Sequence, residues 1–440
     1  MWPYHPELLA RPVPRYTSYP TAVEFEDGVG ESALREAIDD IAPDQPISLY
    51  VHIPFCHEIC WYCGCNTGRA NRGQRLGAYL DALHAEIHTL ARRLEGRGRI
   101  SRVAFGGGSP NALSPIEFAR LVDEMMVAFA ADKPTLSVEL DPRSLARGWA
   151  MALGATGASR VSLGVQTFDP AIQANIGRVQ PHAMILEAVR RLRTNGVSSI
   201  NFDLMYGLPG QTAESLADTL DRTVAMAPER IALFGYAHVP HLLPRQRRID
   251  ATLLPDQAQR FVMAATGYER LVAAGYVPVG FDHFALPGDA LAQAALNGWL
   301  RRNFQGFTED QSDVLIGLGA SAISSFPRAI VQNEKNSGRY RMLATAGRLT
   351  GTRGKRRSAD DRMRGNIIED LLCGRAADVA RLAGDDALSK SLAPFIDAGL
   401  AFLDGGRLSV TANGRPYARV IAALFDSYRL ASVKQFSNAV

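Results

Sequence analysis

The sequence lacks most of what would place it outside an ordinary folded chain. No apolar run reaches the roughly 18 to 20 residues that cross a bilayer, so no membrane span is expected. The first residues, Met1-Trp-Pro-Tyr-His-Pro-Glu7, carry neither the basic region nor the apolar stretch of a secretory signal, and the expected location is the cytoplasm. Charge of one sign is scarce: the net charge is +3, and Lys and Arg are scattered apart from Arg245 to Arg248 and Arg353 to Arg357. Nothing in that balance calls for a nucleic acid partner. There is no low-complexity tract, no repeat other than an alternation of strands and helices, and only five cysteines in 440 residues.

Four of those five lie together. Cys56, Cys60, Cys63 and Cys65 fall within ten residues, in the pattern C-x3-C-x2-C-x-C after Tyr50-Val-His-Ile-Pro-Phe55. Three thiolates so close in a loop after a strand can converge on three corners of a cubane iron-sulfur cluster, leaving the fourth iron open to a substrate. Structural zinc is disfavoured, because it draws on two separated ligand pairs and no second pair exists. Disulfides are disfavoured by the tight spacing and by the single remaining cysteine, Cys373, which reads as a small buried side chain in an apolar helix.

The composition, 47% hydrophobic and 21% charged, is that of a globular protein with two or three domains. Residues 1–46 are expected to form an extended segment, Pro- and Tyr-rich from Arg11 to Thr21, followed by a short helix near Glu31 to Ile41, the whole covering the active site. Residues 47–290 alternate strand and helix. The strands are Ile47 to Ile53, Arg102 to Phe105, Thr135 to Leu140, Arg160 to Val165, Ile200 to Met205 and Arg230 to Tyr236. Single helices between them imply right-handed crossovers, so the fold class is α/β, a partial (β/α)6-type parallel barrel. Residues 291–440 are expected to form a mainly helical C-terminal domain, with a β-hairpin at Leu400 to Val410 turning at Gly405-Gly406. Helices before a small hairpin resemble a winged helix, but without a basic face a packing domain is the better reading.

In such barrels the chemistry sits at the C-terminal ends of the strands. There the sequence places the cysteines, Gly106-Gly107-Gly108, Glu139, Gln166, Asp203 and Tyr236-Ala-His238. Triglycine lets backbone approach a ligand closely, or simply makes a tight turn. Glu139 and Asp203 suit an ammonium or ribose hydroxyls, or equally serve as capping carboxylates. His52, on the strand before the cysteines, is as consistent with a satisfied core histidine as with a functional one.

The C-x3-C-x2-C motif with Gly106-Gly-Gly-Ser-Pro110 behind it resembles the radical S-adenosylmethionine superfamily. More narrowly, the chain resembles the oxygen-independent coproporphyrinogen III dehydrogenase (oxidase) family. The matching pieces include Pro14-Arg-Tyr-Thr-Ser-Tyr-Pro-Thr-Ala22, Cys63-Gly-Cys65, Glu139-Leu-Asp-Pro-Arg143, Leu163-Gly-Val-Gln-Thr-Phe168, Asp203-Leu-Met-Tyr-Gly-Leu-Pro209, Tyr236-Ala-His-Val-Pro240, Arg302-Asn-Phe-Gln-Gly306, Gly319-Ala-Ser-Ala-Ile323 and Lys434-Gln-Phe-Ser437. That resemblance implies one [4Fe-4S] cluster held by Cys56, Cys60 and Cys63, with Cys65 a family position that is not a ligand. It implies two S-adenosylmethionine molecules lined by Tyr50, Tyr62, Gly106, Gly107, Gly108, Glu139, Gln166, Arg178, Asp203, Ala237 and Ile323. The implied reaction decarboxylates two propionates of coproporphyrinogen III to vinyl groups, giving protoporphyrinogen IX through a 5′-deoxyadenosyl radical.

Arg15, with Tyr16-Thr-Ser-Tyr19, is expected to fold over the barrel mouth and meet substrate propionates. A reductant protein for the cluster is the expected partner, and a monomer the expected state. The chain departs from the family pattern at Ser109 in place of Thr, in the basic run Arg353 to Arg357, and after Ser437, where Arg is absent. Two other readings share the scaffold: another haem-related radical enzyme that methylates or opens a tetrapyrrole, and a haem-trafficking protein.

Overall fold

The computed structural model describes residues 1–70, 73–382 and 384–429; the Lys434 to Ser437 match lies outside them. Six strands follow the expected alternation: β1 (Pro46–Ile53), β2 (Arg99–Gly107), β3 (Thr135–Leu140), β4 (Ala158–Gln166), β5 (Ser199–Tyr206) and β6 (Arg230–Gly235). Their sequences show why they curve round a lumen. In β3, Leu136, Val138 and Leu140 are buried while Thr135, Ser137 and Glu139 remain open. β5 repeats this, with Ile200, Phe202 and Leu204 buried and Asn201 and Asp203 part-open. The period of two sends the apolar set outward under the helices and the polar set inward. The intervening helices start on strong signals: in Pro115–Ala128, Ser114 and Glu117 form a capping box, Pro115 opens the first turn, and Phe118, Leu121, Val122 and Met125 are buried.

Short strands flank these six: β7 (Val277–Val279), β8 (His283–Ala285), β9 (Val314–Leu318), β10 (Ile323–Ser325), β11 (Ala329–Asn333) and β12 (Gly351–Arg356). One sheet runs in the order β12-β11-β10-β9-β1-β2-β3-β4-β5-β6-β8-β7. From β9 to β6 all neighbours are parallel, and the outer strands are antiparallel. The sheet therefore takes a seventh parallel strand, β9, from the part of the chain expected to be helical. Helix predominates only from Ala359 onward, in Ala359–Leu372 and Asp386–Asp397. The reason is visible in β9 itself: Val314-Leu-Ile-Gly-Leu318 is buried at every position, so it lacks the alternation that marks a half-exposed strand. The hairpin Ala401–Asp404 with Arg407–Val410 turns at Gly405-Gly406, both at positive φ. After the hairpin a five-residue helix, Ala418–Ala422, lies between 3-10 turns.

The N-terminal segment is tied to the C-terminal layer. Tyr16 donates to Asp426 at 2.9 Å, the Tyr19 hydroxyl meets Ser427 at 3.0 Å, and Trp2 packs on Phe261 and Tyr268. The basic run finds its use here. On edge strand β12, Arg353 donates to the Phe25 carbonyl at 2.7 Å, Lys355 pairs with Glu26 and Arg356 with Glu36. At the N-terminal end of the barrel, Glu309 enters the lumen between Arg102, Arg160 and Arg230. Burial would raise its carboxyl, but the three guanidiniums hold it down at about 2. This ion-pair cluster lies at the end of the strands opposite the cysteine loop.

Candidate active site

The cysteine loop leaves β1 at Ile53 and is fixed to β2: Gly108 donates to the Ile53 carbonyl and Ser109 to the Phe55 carbonyl. Triglycine makes this closeness possible. A Cβ on Gly106 would stand 2.5 Å from Glu139 Oε2, one on Gly107 2.5 Å from the His52 ring, and one on Gly108 2.5 Å from the Phe55 carbonyl oxygen. Gly107 also sits at φ +109°, where side chains rarely go. Its N–H donates to Glu139 Oε2 at 3.3 Å, so the stretch is both turn and platform.

All five cysteines are free. Cys60 is buried, Cys56 and Cys63 are part-buried, and Cys65 is open to the mouth. Two guanidiniums aim at the buried sulfur: Arg178 Nη1 lies 3.1 Å and Arg143 Nη2 3.3 Å from Cys60 Sγ. Asp141 holds both, at 3.2 Å and 2.6 Å. Burial would raise its carboxyl, yet Arg178 and Arg143 keep it below the usual range. Hydrogen bonding with Cys65 lowers the Cys63 thiol to about 6, against the effect of burial, while burial raises Cys56 to about 11. Among the described residues no three His, Cys, Asp or Glu side chains stand in a metal-coordinating arrangement. The donor set suits an iron-sulfur cluster: soft sulfurs on one loop, with two guanidiniums donating to one of them.

The rest of the mouth is built from strand ends. Tyr50 projects beside His52, its hydroxyl 3.2 Å from Nδ1, and burial lowers the His52 imidazole to about 4. Glu139 opens into a lumen cavity of ≈190 Å³ shared with Asp203, Asn201 and His283. Enclosure and then the nearby Asp203 raise its carboxyl to about 7. Asp203, also raised by burial, accepts from Ser162 and Asn201, each at 2.8 Å. Gln166 ends β4 in a left-handed conformation, φ +66°, and its buried Oε1 has no hydrogen-bond partner. Gln166 therefore combines a left-handed backbone with an unpaired buried oxygen. Ile323 opens β10 against Gly317, which pairs with Tyr50. Ala237 follows β6, and buried Gln246 ties it to the cysteine loop by donating to the Ala237 carbonyl at 3.1 Å and the Tyr62 carbonyl at 3.0 Å. Arg15 reaches the rim from outside, donating to the Gly235 carbonyl at 2.9 Å and lying over Phe234.

The sequence reading placed Asp141 at a strand end without assigning it a role, and did not single out Gln246 or Arg143. Asp141 and Arg143 were visible within the Glu139 to Arg143 match; no sequence signal marks Gln246, which stands among arginines.

The model of the radical SAM superfamily matches residues 50–223. The chain is 41% identical over 437 residues to an oxygen-independent coproporphyrinogen III oxidase of Bradyrhizobium diazoefficiens, covering 97% of each. It is 43% identical to one of Paracoccus denitrificans, covering 96% of this chain and 95% of that protein. Among solved structures, the coproporphyrinogen III oxidase of Escherichia coli, described as a radical SAM enzyme, superposes with a TM-score of 0.89 at 36% identity, over 97% of this chain and 99% of that one.

Proposed function

The chain belongs to the oxygen-independent coproporphyrinogen III oxidase family, and on that premise we propose how its residues serve the reaction. The protein is a radical SAM oxidoreductase of haem biosynthesis: it oxidatively decarboxylates two propionates of coproporphyrinogen III to vinyl groups, giving protoporphyrinogen IX. It works with a [4Fe-4S] cluster and S-adenosylmethionine. A [4Fe-4S] cluster held by Cys56, Cys60 and Cys63, together with S-adenosylmethionine, would supply the one-electron chemistry that removes a hydrogen atom from the β-carbon of a propionate, with CO2 and one further electron lost to leave the vinyl group.

In our reading Cys56, Cys60 and Cys63 hold the cluster, while Arg178 and Arg143 stabilise the Cys60 thiolate and Asp141 orients both. Two S-adenosylmethionine molecules are accommodated. Tyr50, Tyr62, Gly106, Gly107, Gly108 and Glu139 position ligand against the cysteine loop, and Gln166, Arg178, Asp203, Ala237 and Ile323 line the remainder of the mouth. Cys65 stays off the metal and beside Cys63. The N-terminal segment, tied to Asp426 and Ser427, helps keep water from the reacting groups. Arg15 contacts a substrate propionate at the rim. The working form is a cytoplasmic monomer that takes its electrons from a reductant protein.

The observation that carries this reading is the meeting of a three-cysteine loop, an orphaned Gln166 Oε1 and two lumen carboxylates toward the C-terminal ends of the parallel strands. Anaerobic incubation of reconstituted protein with coproporphyrinogen III, S-adenosylmethionine and a reductant tests it. Divinyl product and two CO2 per substrate are expected; an unchanged porphyrinogen refutes the reading.

A further inference from the structure

The basic run Arg245 to Arg248 is packed against the cysteine loop. It lies in a 3-10 turn, Pro244–Arg248, whose one buried member, Gln246, donates to the Tyr62 carbonyl at 3.0 Å. Arg248 lies over the Trp61 ring, 4.9 Å from its centre, and Leu243 stands 3.5 Å from where a Cβ on Gly64 would be. Arg245 is near enough to act on the Cys63 thiol. Two further cations border the same loop. Arg69 stands opposite Cys56 in a short parallel ladder, and the Lys335 carbonyl accepts from Asn66 Nδ2 at 3.4 Å.

Arg69, Arg247, Arg248 and Lys335 are exposed, as are Gly64, Cys65 and Asn66 of the loop itself. Among the described residues none of these four cations forms an ion pair with a carboxylate. The acids beside them in the chain are already engaged: Glu58 with Arg143 at 2.9 Å, Asp250 with the Thr252 N–H at 2.9 Å and Glu334 with the Asn336 N–H at 2.8 Å. Leu242, 62% exposed, adds an apolar side chain to the patch. Solvated cations grip a small ligand weakly, but several on one face steer a large body of opposite charge and set its orientation. Complexes that pass a single electron are small and short-lived, and charge around a little apolar surface suits them.

We propose that Arg69, Arg245, Arg247, Arg248 and Lys335 form the docking surface for an acidic one-electron carrier protein, which delivers its electron at the exposed edge of the cysteine loop. The inference rests on the reading above, in which a reductant protein serves the bound iron-sulfur group. The carrier is oxidised by one electron and that group reduced by one; no bond forms and no proton moves. Entry here needs no passage through the barrel, because Gly64, Cys65 and Asn66 already stand at the surface.

Reconstituted wild type, Arg247→Glu, Lys335→Glu and Arg381→Glu are compared. Arg381, exposed in the C-terminal layer, carries the same change of charge on another element. The readouts are the affinity for an oxidised acidic flavodoxin, by calorimetry at rising salt, and turnover of coproporphyrinogen III driven by the reduced flavodoxin or by dithionite. The expected result is a flavodoxin dissociation constant about tenfold higher in Arg247→Glu and in Lys335→Glu, and a wild-type affinity that falls with salt. Arg381→Glu should bind as wild type does, and dithionite-driven turnover should be unchanged in all three variants. Unchanged flavodoxin affinity in both loop-side variants overturns the proposal. Equal binding of duplex DNA by wild type, the mark of a surface for any polyanion, overturns it too. So does a raised KM for coproporphyrinogen III under dithionite, which assigns these cations to the substrate. Wild type that is inert under dithionite refutes the functional reading itself, while the binding titration decides the surface separately.

Discussion

Arg178 and Cys60 are separated by 118 residues, yet Nη1 of one lies 3.1 Å from Sγ of the other. The contact joins the loop after β4 to the loop after β1, and Asp141, from beyond β3, holds the arginine in place. A guanidinium that serves a buried sulfur and a carboxylate together is more than a surface counter-ion. Arg178→Met should lower turnover about 10- to 100-fold, the equivalent of one lost charge-assisted hydrogen bond of about 1.5–3 kcal/mol. Reconstituted iron content should fall with it. Activity within twofold of wild type would refute the role.

Glu139 carries a pH dependence whose sign follows from its surroundings. Its folded carboxyl titrates at about 7 against an ordinary 4.5, so the native state holds the proton more tightly than the unfolded chain does. The unfolding free energy of the metal-free protein should therefore fall as pH rises from about 4.5 to about 7. Urea unfolding across that window should show the slope in wild type and a shallower one in Glu139→Gln. Equal slopes would contradict it.

Gly107→Ala should be far more damaging than an ordinary substitution at positive φ, because the added methyl meets the His52 ring at 2.5 Å. Gly96 is the control: its φ is +77° and a Cβ there meets nothing within 4 Å. A cost of about 3 kcal/mol or more is expected for the first and about 1 kcal/mol for the second. Chemical denaturation of both variants checks the difference.

The Tyr16 hydroxyl fastens the N-terminal segment to Asp426. Tyr16→Phe removes the donor and leaves a buried acceptor unsatisfied, at a cost of about 1–3 kcal/mol. Limited proteolysis should cut the segment before Glu31 faster than in wild type, with the barrel left intact. An unchanged cleavage pattern would show that other ties hold the segment.

The six central strands were legible because their apolar residues alternate or cluster between helical repeats, and unusual residues stood toward the C-terminal ends of several of them, at Cys56, Gly107, Glu139 and Asp203. β9 was not legible, since Val314 to Leu318 is buried on both faces and five residues long. Three of the extra antiparallel strands, Val277–Val279, His283–Ala285 and Ile323–Ser325, have three residues each, too few to show a period. The basic run at Arg353 looked out of place until its partners, Phe25, Glu26 and Glu36, arrived from more than 300 residues away. Within the site, the residue types were readable but their mutual service was not. Nothing local in the sequence says that Asp141 braces Arg178, or that Gln246 ties Tyr62 to Ala237.

The account depends on three neighbouring sulfurs holding an iron-sulfur cluster with one iron left for S-adenosylmethionine. Electron paramagnetic resonance of the anaerobically reconstituted, reduced protein, recorded before and after addition of S-adenosylmethionine, tests this directly. A cluster signal that shifts on addition, and that is lost in Cys60→Ala, is the predicted result. A protein that takes up no iron, or a signal that the nucleotide leaves unaltered, would contradict it.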